Sequence, residues 1–582
     1  MRRPGTLAVF TAWAGDRYGD HPALRAKGMP PVSYAELRDT VRAIAGGLAG
    51  PGTGVRAGDR VAILSETRVE WTYAHFAVLA VGAVVVPVYP TAGDEELAWV
   101  LGDSGATVVI CENAERAARV AGVRAKTPDV RHVLLLDELR PPTGPAASLT
   151  PPAPPDQLAA RAAAVGDGDL AAIVYTSGTT GLPKGCRLTH GNLGAVLEAN
   201  LDLIGGGPGD RTYLYLPLAH LLAQLIQFTT LLRGGELCYF GGRIEDVVSE
   251  LAEVKPTHLP SVPRLFEKVH ATVLSLAEGR EGGRERFEEA VRIGVLAAEG
   301  RLPDELTAAY EEADQRLYSL VRAVFGGRLR WALTGAAPIA PRTMDFLRAC
   351  GIQVFEGYGM TESGGVISLN HPGAVRYGTV GRPVAGCEVR IAEDGEVLAR
   401  GPMVFPGYHA NEAATRETVD ADGWLHTGDL GALDGDGYLT ITGRKKDLII
   451  TSAGKNLTPT TVEQAVQQQS PLVSHVVMVG DRRPYPVALV TLDAQEVAGW
   501  AAREGRDPGD REALRAVVQE AVDAANARVS RPARIRAFAV LDEDFTVDAG
   551  VLTPTLKVRR RAVAERYAAE IEALYATGTG TG

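Results

Sequence analysis

The sequence predicts an α/β protein with largely parallel sheets, and three observations carry that reading. Short apolar runs recur at 60–64, 83–88, 107–111, 132–136 and 171–175. Helical patterns at 34–48 and 70–81 lie between several of them. Strands alternating with helices are the mark of crossover units, which force parallel pairing. From Gly378 the texture changes to short strands and turns, and after Gly443 it becomes mixed α+β, so a boundary is expected near Arg444.

Taken in order, the elements have local reasons. Leu7, Phe10 and Trp13 recur at helical spacing, so the start reads as an amphipathic helix rather than a cleaved signal. The longest apolar run, 76–89, is shorter than the ~20 residues of a membrane helix and contains Pro87. It reads as a buried helix running into a strand. The Pro- and Ala-rich stretch 141–155 reads as a surface connection. The charged stretch 276–324 reads as a solvated helical subdomain. Residues 388–401 form a hairpin pattern with Asp394-Gly395 at its turn, and Asp422-Gly423, Asp434-Gly435 and Asp436-Gly437 mark further turns. The tail 576–582 is expected to be disordered.

Composition narrows the function. The 582 residues carry a formal charge of −11, and the pI near 5.6 argues against a nucleic-acid partner, whose phosphate backbone needs a basic face. Arg559, Arg560 and Arg561 leave only a local basic patch. The five cysteines are widely spread with no metal-ligand spacing, so the sequence suggests neither a zinc site nor a disulfide framework and fits a reducing compartment. Lysine is scarce: only nine of the 60 basic residues are lysine. Where arginine is the default cation, each lysine invites a chemical reason.

The sharpest local signal is TSGTTGLPKG at 176–185, which follows an apolar strand. Glycines let backbone N–H groups approach an anion, the hydroxyls of Thr176, Ser177, Thr179 and Thr180 add donors, and Lys184 adds charge. It is not a Walker A loop, because Pro183 precedes the lysine and Gly185 follows it. The loop, with Gly178 and Gly181 among its binding residues, resembles the phosphate loop of the acyl-adenylate-forming enzymes: acyl-CoA synthetases, luciferases and peptide-synthetase adenylation domains. In the CRLTHGN string that follows, Cys186-Arg187 stands where Val-Met is common in that family.

Further motifs follow in the family's order. LPLAH at 216–220 resembles the segment lining the acyl pocket, with His220 as its gate. TGAAP at 334–338 resembles the adenine-binding loop, where Gly335, Ala336 and Ala337 would let a flat base lie against backbone. In EGYGMTE at 356–362 the resemblance places Tyr358 on adenine with Gly359 beside it, Thr361 on the α-phosphate and Glu362 on Mg²⁺. A hard cation wants carboxylate oxygen, which suits Glu362. TGD at 427–429 reads as a turn, with Asp429 accepting from the ribose diol. In GRKKDLIITSAGKN (443–456) Arg444 resembles the ribose-contacting arginine, Lys446 the hinge position and Gly454 the strand lining the pantetheine channel. LTPTLKVRR at 552–560 resembles the segment with the adenylation lysine, Lys557; Leu556 stands where Gly is general. This form and TSAGKNLTP look like the long-chain branch. Five of the nine lysines fall in three of these windows, so the scarce residue is concentrated where phosphate must be met.

The resemblance covers nearly the whole chain. It implies a large N-terminal domain, 1–443, of two helix-flanked β-sheets plus a distorted β-barrel. A small mobile α+β domain, 444–582, would follow a hinge at 444–447. It implies a fatty acid–CoA ligase for medium to long chains, using ATP, Mg²⁺ and coenzyme A, with Lys557, Glu362, Thr361 and Lys184 as the catalytic set. The nearest alternative is an acyl-AMP ligase that loads a carrier protein. That branch carries an insertion after Glu362, and only fifteen residues separate Glu362 from Gly378 here. A luciferase-like oxygenase has no positive support. A catalytically silent acyl- or nucleotide-binding protein is the reading from another class, and intact Lys557, Glu362 and Asp429 argue against it. The expected setting is cytoplasmic, with at most peripheral membrane contact at its inner face and room for a homodimer.

Overall fold

Valine, isoleucine and leucine runs form the strands of a six-stranded sheet. Its order is His132–Leu135, Val108–Cys111, Arg60–Leu64, Val84–Val88, Leu170–Thr176 and Lys184–Thr189. The first five are parallel, and the last returns antiparallel to Leu170–Thr176. All five strand expectations hold to within a residue at either end. The computed structural model describes residues 5–139, 153–176, 182–201, 203, 206–452, 456–546, 549–553 and 557–577.

A second sheet has nine strands, in the order Arg382–Pro383, Ser368–Leu369, Val354–Tyr358, Trp331–Thr334, His258–Ser261, Arg211–Leu214, Glu236–Tyr239, Pro22–Arg25 and Val32–Ser33. Its middle is parallel. The helix Val69–Ala80 is buried along its length and leads into Val84–Val88, as the apolar run 76–89 predicts. The helix Tyr34–Ala49 starts at Ser33, whose hydroxyl and Glu36 form a capping box that satisfies two otherwise orphaned N–H groups. At the N-terminus a short 3₁₀ turn, Leu7–Val9, runs into the helix Phe10–Tyr18, and Phe10 stacks on Phe76 with ring centroids 5.2 Å apart.

The third layer is an antiparallel sheet of four strands, Glu388–Ile391, Glu396–Arg400, Leu425–Leu433 and Leu439–Arg444. Register shifts at Glu396/Leu398 and Leu430/Gly431 bend it, since an extra residue on one strand curls the pair. The hairpin at Asp394-Gly395 is present, with Gly395 in the left-handed region at φ 86°. Beyond it a three-stranded sheet, Val473–Val479, Val487–Leu492 and Phe538–Val540, is covered by helices including Pro459–Gln467 and Arg511–Asn526. The buried apolar clusters divide accordingly: two draw on residues between Leu7 and Leu425, and three on residues between Ile449 and Tyr575.

Three expectations need correction, and a fourth lies mostly outside the described residues. The stretch 276–324 is helical but not a detached solvated subdomain. Phe287, Tyr318 and Val321 are buried in the main core, and the helix Gly283–Ala298 packs on the helix Pro341–Ala349. Charge on the outer faces hid those inward positions. In 141–155, residues 141–152 lie outside the described residues, and Pro155 opens a helix, Pro155–Ala164, as proline at a first helical position can. The last helix, Ala568–Thr577, runs two residues into the expected tail, and 578–582 lie outside the described residues. Asp429 lies within the strand Leu425–Leu433, not in a turn.

Candidate active site

Parallel strands present their carboxyl ends on one side, where α/β proteins bind ligands. Thr176, Thr334 and Tyr358 end three such strands. All three line a cleft of about 2890 Å³, whose other wall is formed by residues 446–564.

The strands Leu170–Thr176 and Lys184–Thr189 pair antiparallel, with Thr176 opposite Lys184 across the ladder. Ser177, Gly178, Thr179, Thr180 and Gly181 lie outside the described residues. At the loop's far end the Trp99 indole N–H donates to the Pro183 carbonyl at 2.9 Å. Lys184 lines the cleft, its ammonium 5.1 Å from the centre of the Tyr408 ring.

Across the cleft, Gly335, Ala336 and Ala337 follow Thr334. Ala336 has φ 67°, an uncommon conformation for a residue with a side chain, and one that functional loops often hold. A Cβ on Gly335 would lie 3.1 Å from the Gly357 carbonyl oxygen. Gly359 is required more strictly: a Cβ there would sit 2.4 Å from the Gly365 carbonyl oxygen, so the glycine lets this loop fold back on itself. Gly365 in turn leaves room for Leu225, whose Cδ1 would be 2.4 Å from an added Cβ.

Tyr358, Asp429 and Arg444 form one constellation. The Tyr358 hydroxyl donates to Asp429 Oδ2 at 2.7 Å, and Arg444 Nε lies 2.7 Å from Asp429 Oδ1. Asp429 and Arg444 are directly opposed partners on adjacent strands, so the sheet register creates the pair. Gly428, at φ 70°, gives the local string its turn-like look. Burial and the Asp429 charge push the Tyr358 phenol well above its usual range.

Glu362 lies in a short 3₁₀ turn, Thr361–Ser363, with 7% of its surface exposed. The Tyr408 hydroxyl donates to its Oε1 at 2.7 Å. Among the described residues no cation lies within ion-pair distance of this carboxylate, and no cluster of three His, Cys, Asp or Glu forms a metal cage. A lone buried carboxylate fits Mg²⁺ that arrives on a nucleotide and takes its remaining ligands from phosphate and water.

Lys557 enters from the opposite wall. It keeps accessible surface because the cleft is open, yet protein surrounds it closely. That burial, with Arg444 and Lys446 adding and Asp429 and Glu362 opposing, pushes its ammonium down to about 8. His220 caps the helix Leu221–Leu232, and its Nδ1 accepts from the Leu222 amide at 3.2 Å. Burial, then the Lys557 charge, lowers it to about 4, so the ring is neutral near pH 7. Lys446 also lines the cleft, while Lys445 turns away to Asp394 at 2.5 Å and Glu396 at 3.2 Å. Gly454 lies outside the described residues.

Sequence reasoning did not single out Tyr408, Glu356 or the Arg560–Glu463 pair. Tyr408 reaches Glu362 because it bridges to Cys186, and the His409 amide bonds the Gly185 carbonyl at 2.7 Å. No local pattern announces that pairing. Glu356 is a buried carboxyl on the cleft wall, pushed up to about 7 by desolvation against backbone hydrogen bonds from Ile339 and Gly378. Arg560 Nη1 meets Glu463 Oε1 at 2.6 Å, and both lie in the cleft wall near Asp447. Cys186, a departure from the common family residue, is buried with its sulfur 3.8 Å from Thr176 Oγ1 and beside Glu362.

Comparison with known proteins agrees with this geometry. The family described as AMP-binding enzyme matches residues 10–409, and the AMP-binding enzyme C-terminal domain matches 446–579. The chain is 42% identical to the long-chain-fatty-acid–CoA ligase FadD15 of Mycobacterium bovis, over 94% of this chain and 92% of that protein. It is 32% identical to the peroxisomal long chain acyl-CoA synthetase 7 of Arabidopsis thaliana, over 94% and 81%. In fold it resembles the carboxylic acid reductase A-PCP didomain from Segniliparus rugosus in complex with AMP. That match has a TM-score of 0.77 at 23% identity and covers 99% of this chain and 83% of that one. It also resembles the o-succinylbenzoate coenzyme A synthetase of Bacillus subtilis in complex with ATP and magnesium ion, at TM-score 0.69 and 24% identity, covering 95% and 98%. Likeness of that extent in sequence, on a cleft with these groups, makes the chain a member of the AMP-binding enzyme family, in its long-chain fatty acyl-CoA synthetase branch.

Proposed function

We propose that the protein activates a medium- to long-chain fatty acid with MgATP to acyl-AMP and transfers the acyl group to coenzyme A, releasing pyrophosphate and AMP. The observation that carries the proposal is the approach of Lys557 to Glu362, Asp429 and Arg444 across one cleft. A carboxylate is a poor electrophile, because its leaving group would be oxide. Its oxygen attacks the α-phosphorus, a new P–O bond forms, and the bond to the β-phosphate breaks. Charge builds on phosphoryl oxygens, so the work is positioning and countercharge. Lys557, Lys184 and the loop at 176–185 would supply countercharge, Thr361 would meet the α-phosphate, and Glu362 would hold Mg²⁺, which supplies charge neutralisation when bound. Tyr358 and Gly335–Ala337 would sandwich the base, with Asp429 and Arg444 on the ribose.

The thiol must then reach the carbonyl from the side Lys557 occupies. In this reading residues 444–582 move as a small domain about Lys446, withdrawing Lys557 and bringing Gly454 to the pantetheine. No protein nucleophile is needed. His220, Leu221, Leu222 and Val366 would line the start of the acyl pocket.

The test offers the protein ATP, Mg²⁺ and a panel of acids, with coenzyme A and a holo-carrier protein present together. Mass spectrometry should show acyl-CoA from fatty acids; predominant acylation of the carrier would overturn the choice of acceptor. The fifteen residues after Glu362 hold a return strand, Ser368–Leu369, paired to Gly357 and Tyr358, which supports the coenzyme A reading over the carrier-loading one. Among the described residues no helix is long and apolar enough to cross a membrane.

A further inference from the structure

We propose that Arg560 is a positioning residue for adenylation: it clamps the segment that carries Lys557 to the turn Lys445–Asp447, so that this turn sets where the lysine stands. The inference rests on the reading of Lys557 as the adenylation lysine and adds the side chain that holds it in place.

A lysine ammonium rides on a flexible four-carbon stem, so its place depends on how firmly the backbone beneath it is held. Part of that hold is local. The Lys557 amide donates to Thr553 Oγ1 at 3.0 Å, and its carbonyl accepts from the Thr553 amide at 2.8 Å. Val558 bridges to Leu552, and the Arg559 amide donates to the Val551 carbonyl at 2.8 Å. These bonds tie the segment to the stretch just before it.

Arg560 supplies the long-range hold. It opens the helix Arg560–Arg566, three residues after Lys557. Its guanidinium meets Glu463 with both terminal nitrogens, Nη1 lying 2.6 Å from Oε1 and Nη2 beside Oε2. A bidentate fork of this kind fixes direction as well as distance. Glu463 is buried on the helix Pro459–Gln467, and its Oε1 also accepts from the Met478 amide at 2.6 Å, on the strand Val473–Val479. The remaining edge of the guanidinium, Nε, lies 3.8 Å from Asp447 Oδ2. One side chain thus joins the turn, the helix, the strand and the Lys557 segment. On the other side of Lys446, Lys445 is tied to Asp394 and Glu396. The two neighbours of the expected pivot are therefore anchored apart, one to the four-stranded sheet and one to Arg560. A turn at Lys446 is passed to Lys557 through this guanidinium. The next residue, Arg561, pairs only with the exposed Glu565 on its own helix and makes no such link, which suits it as a control.

The test uses the full-length protein and measures acyl-AMP formation and, separately, thioester formation from supplied acyl-AMP. The main variant combines Arg560→Gln with Glu463→Gln, which leaves no buried charge unpaired and keeps an acceptor for the Met478 amide. A misplacement of about 1 Å can cost about 100-fold, so kcat for adenylation should fall by about that factor with the ATP KM within about threefold. Thioester formation should stay within about twofold, which also reports an intact fold. Arg560→Lys keeps the charge without the fork and should lose only about tenfold. Arg561→Gln should change neither half-reaction by more than about twofold. The deciding comparison adds the paired substitution to Lys557→Ala. A residue that acts through Lys557 has nothing left to place there, so the further loss should be no more than about twofold. A full further loss in that background, equal loss of both half-reactions in the paired variant, or unchanged adenylation in both the paired variant and Arg560→Lys would overturn the proposal and leave the reading of Lys557 standing. Lys557→Ala with undiminished adenylation would instead strike down that reading, and the proposal with it.

Discussion

Tyr408 donates its hydroxyl to Glu362 Oε1 at 2.7 Å, across 46 residues of sequence. The same ring lies under the Lys184 ammonium. One aromatic residue therefore orients the carboxylate expected to meet Mg²⁺ and the lysine expected to meet phosphate. Tyr408→Phe keeps the ring and removes only the hydrogen bond. Outer partners of this kind typically contribute 10- to 100-fold, so adenylation should slow by about tenfold with a raised Mg²⁺ requirement. Titrating Mg²⁺ in acyl-AMP formation checks this, and the thioester step from supplied acyl-AMP should not change.

The position of Lys557 sets a pH limb. Burial lowers its ammonium to about 8, and the charged form is the one that stabilises the phosphoryl oxygens. Hence kcat/KM for adenylation, which reports the free enzyme, should fall as pH rises through about 8, by roughly tenfold per unit above it. Bound triphosphate favours the ammonium, so the limb in kcat should lie at higher pH. A pH profile of each half-reaction distinguishes the source, because thioester formation should lack this limb. His220, lowered to about 4, stays neutral throughout the range and does not contribute.

The two half-reactions should separate genetically. Lys557→Ala removes the countercharge of the first and leaves the second, so acyl-AMP formation should drop at least about 100-fold while supplied acyl-AMP still yields thioester. Lys446 lies in the 3₁₀ turn Lys445–Asp447, where a domain pivot would change backbone dihedrals. Lys446→Pro, which fixes φ, should do the reverse. Loss of the same half-reaction in both variants would refute the swing.

Much of this was legible in the residues because its causes are local. Apolar β-branched runs became buried strands, the Asp394-Gly395 pair became a hairpin turn, and EGYGMTE became a strand end followed by a turn holding Glu362. What escaped depends on pairing between distant segments. Asp429 looked like a turn residue because Gly428 takes a positive φ, yet the cross-strand register with Arg444 makes it part of a strand. Tyr408 gains its role only when 408 bridges to 186. Phe287, Tyr318 and Val321 are core residues within a charged stretch, and only the packing of the helices Gly283–Ala298 and Pro341–Ala349 shows which face is inward.

The cysteines give a last prediction, about which thiol the enzyme uses. All five are buried and free. Desolvation pushes Cys111, Cys238, Cys350 and Cys387 up to about 12, and Cys186 upward as well, where the neighbouring Glu362 adds to the effect. The thiolate is the reactive form, so these groups are nearly inert at neutral pH. Native protein at pH 8 should therefore resist iodoacetamide and keep its activity, with all five sites labelled only after unfolding. Cys186 is the informative case because its sulfur touches Thr176 and Glu362. A neutral thiol there acts as a small apolar filler with a weak donor, so Cys186→Val should keep adenylation within about twofold. A loss well beyond that, with the fold intact by thioester formation, would mean that the sulfur helps orient Glu362 and that the Val-Met to Cys-Arg change reaches the chemistry.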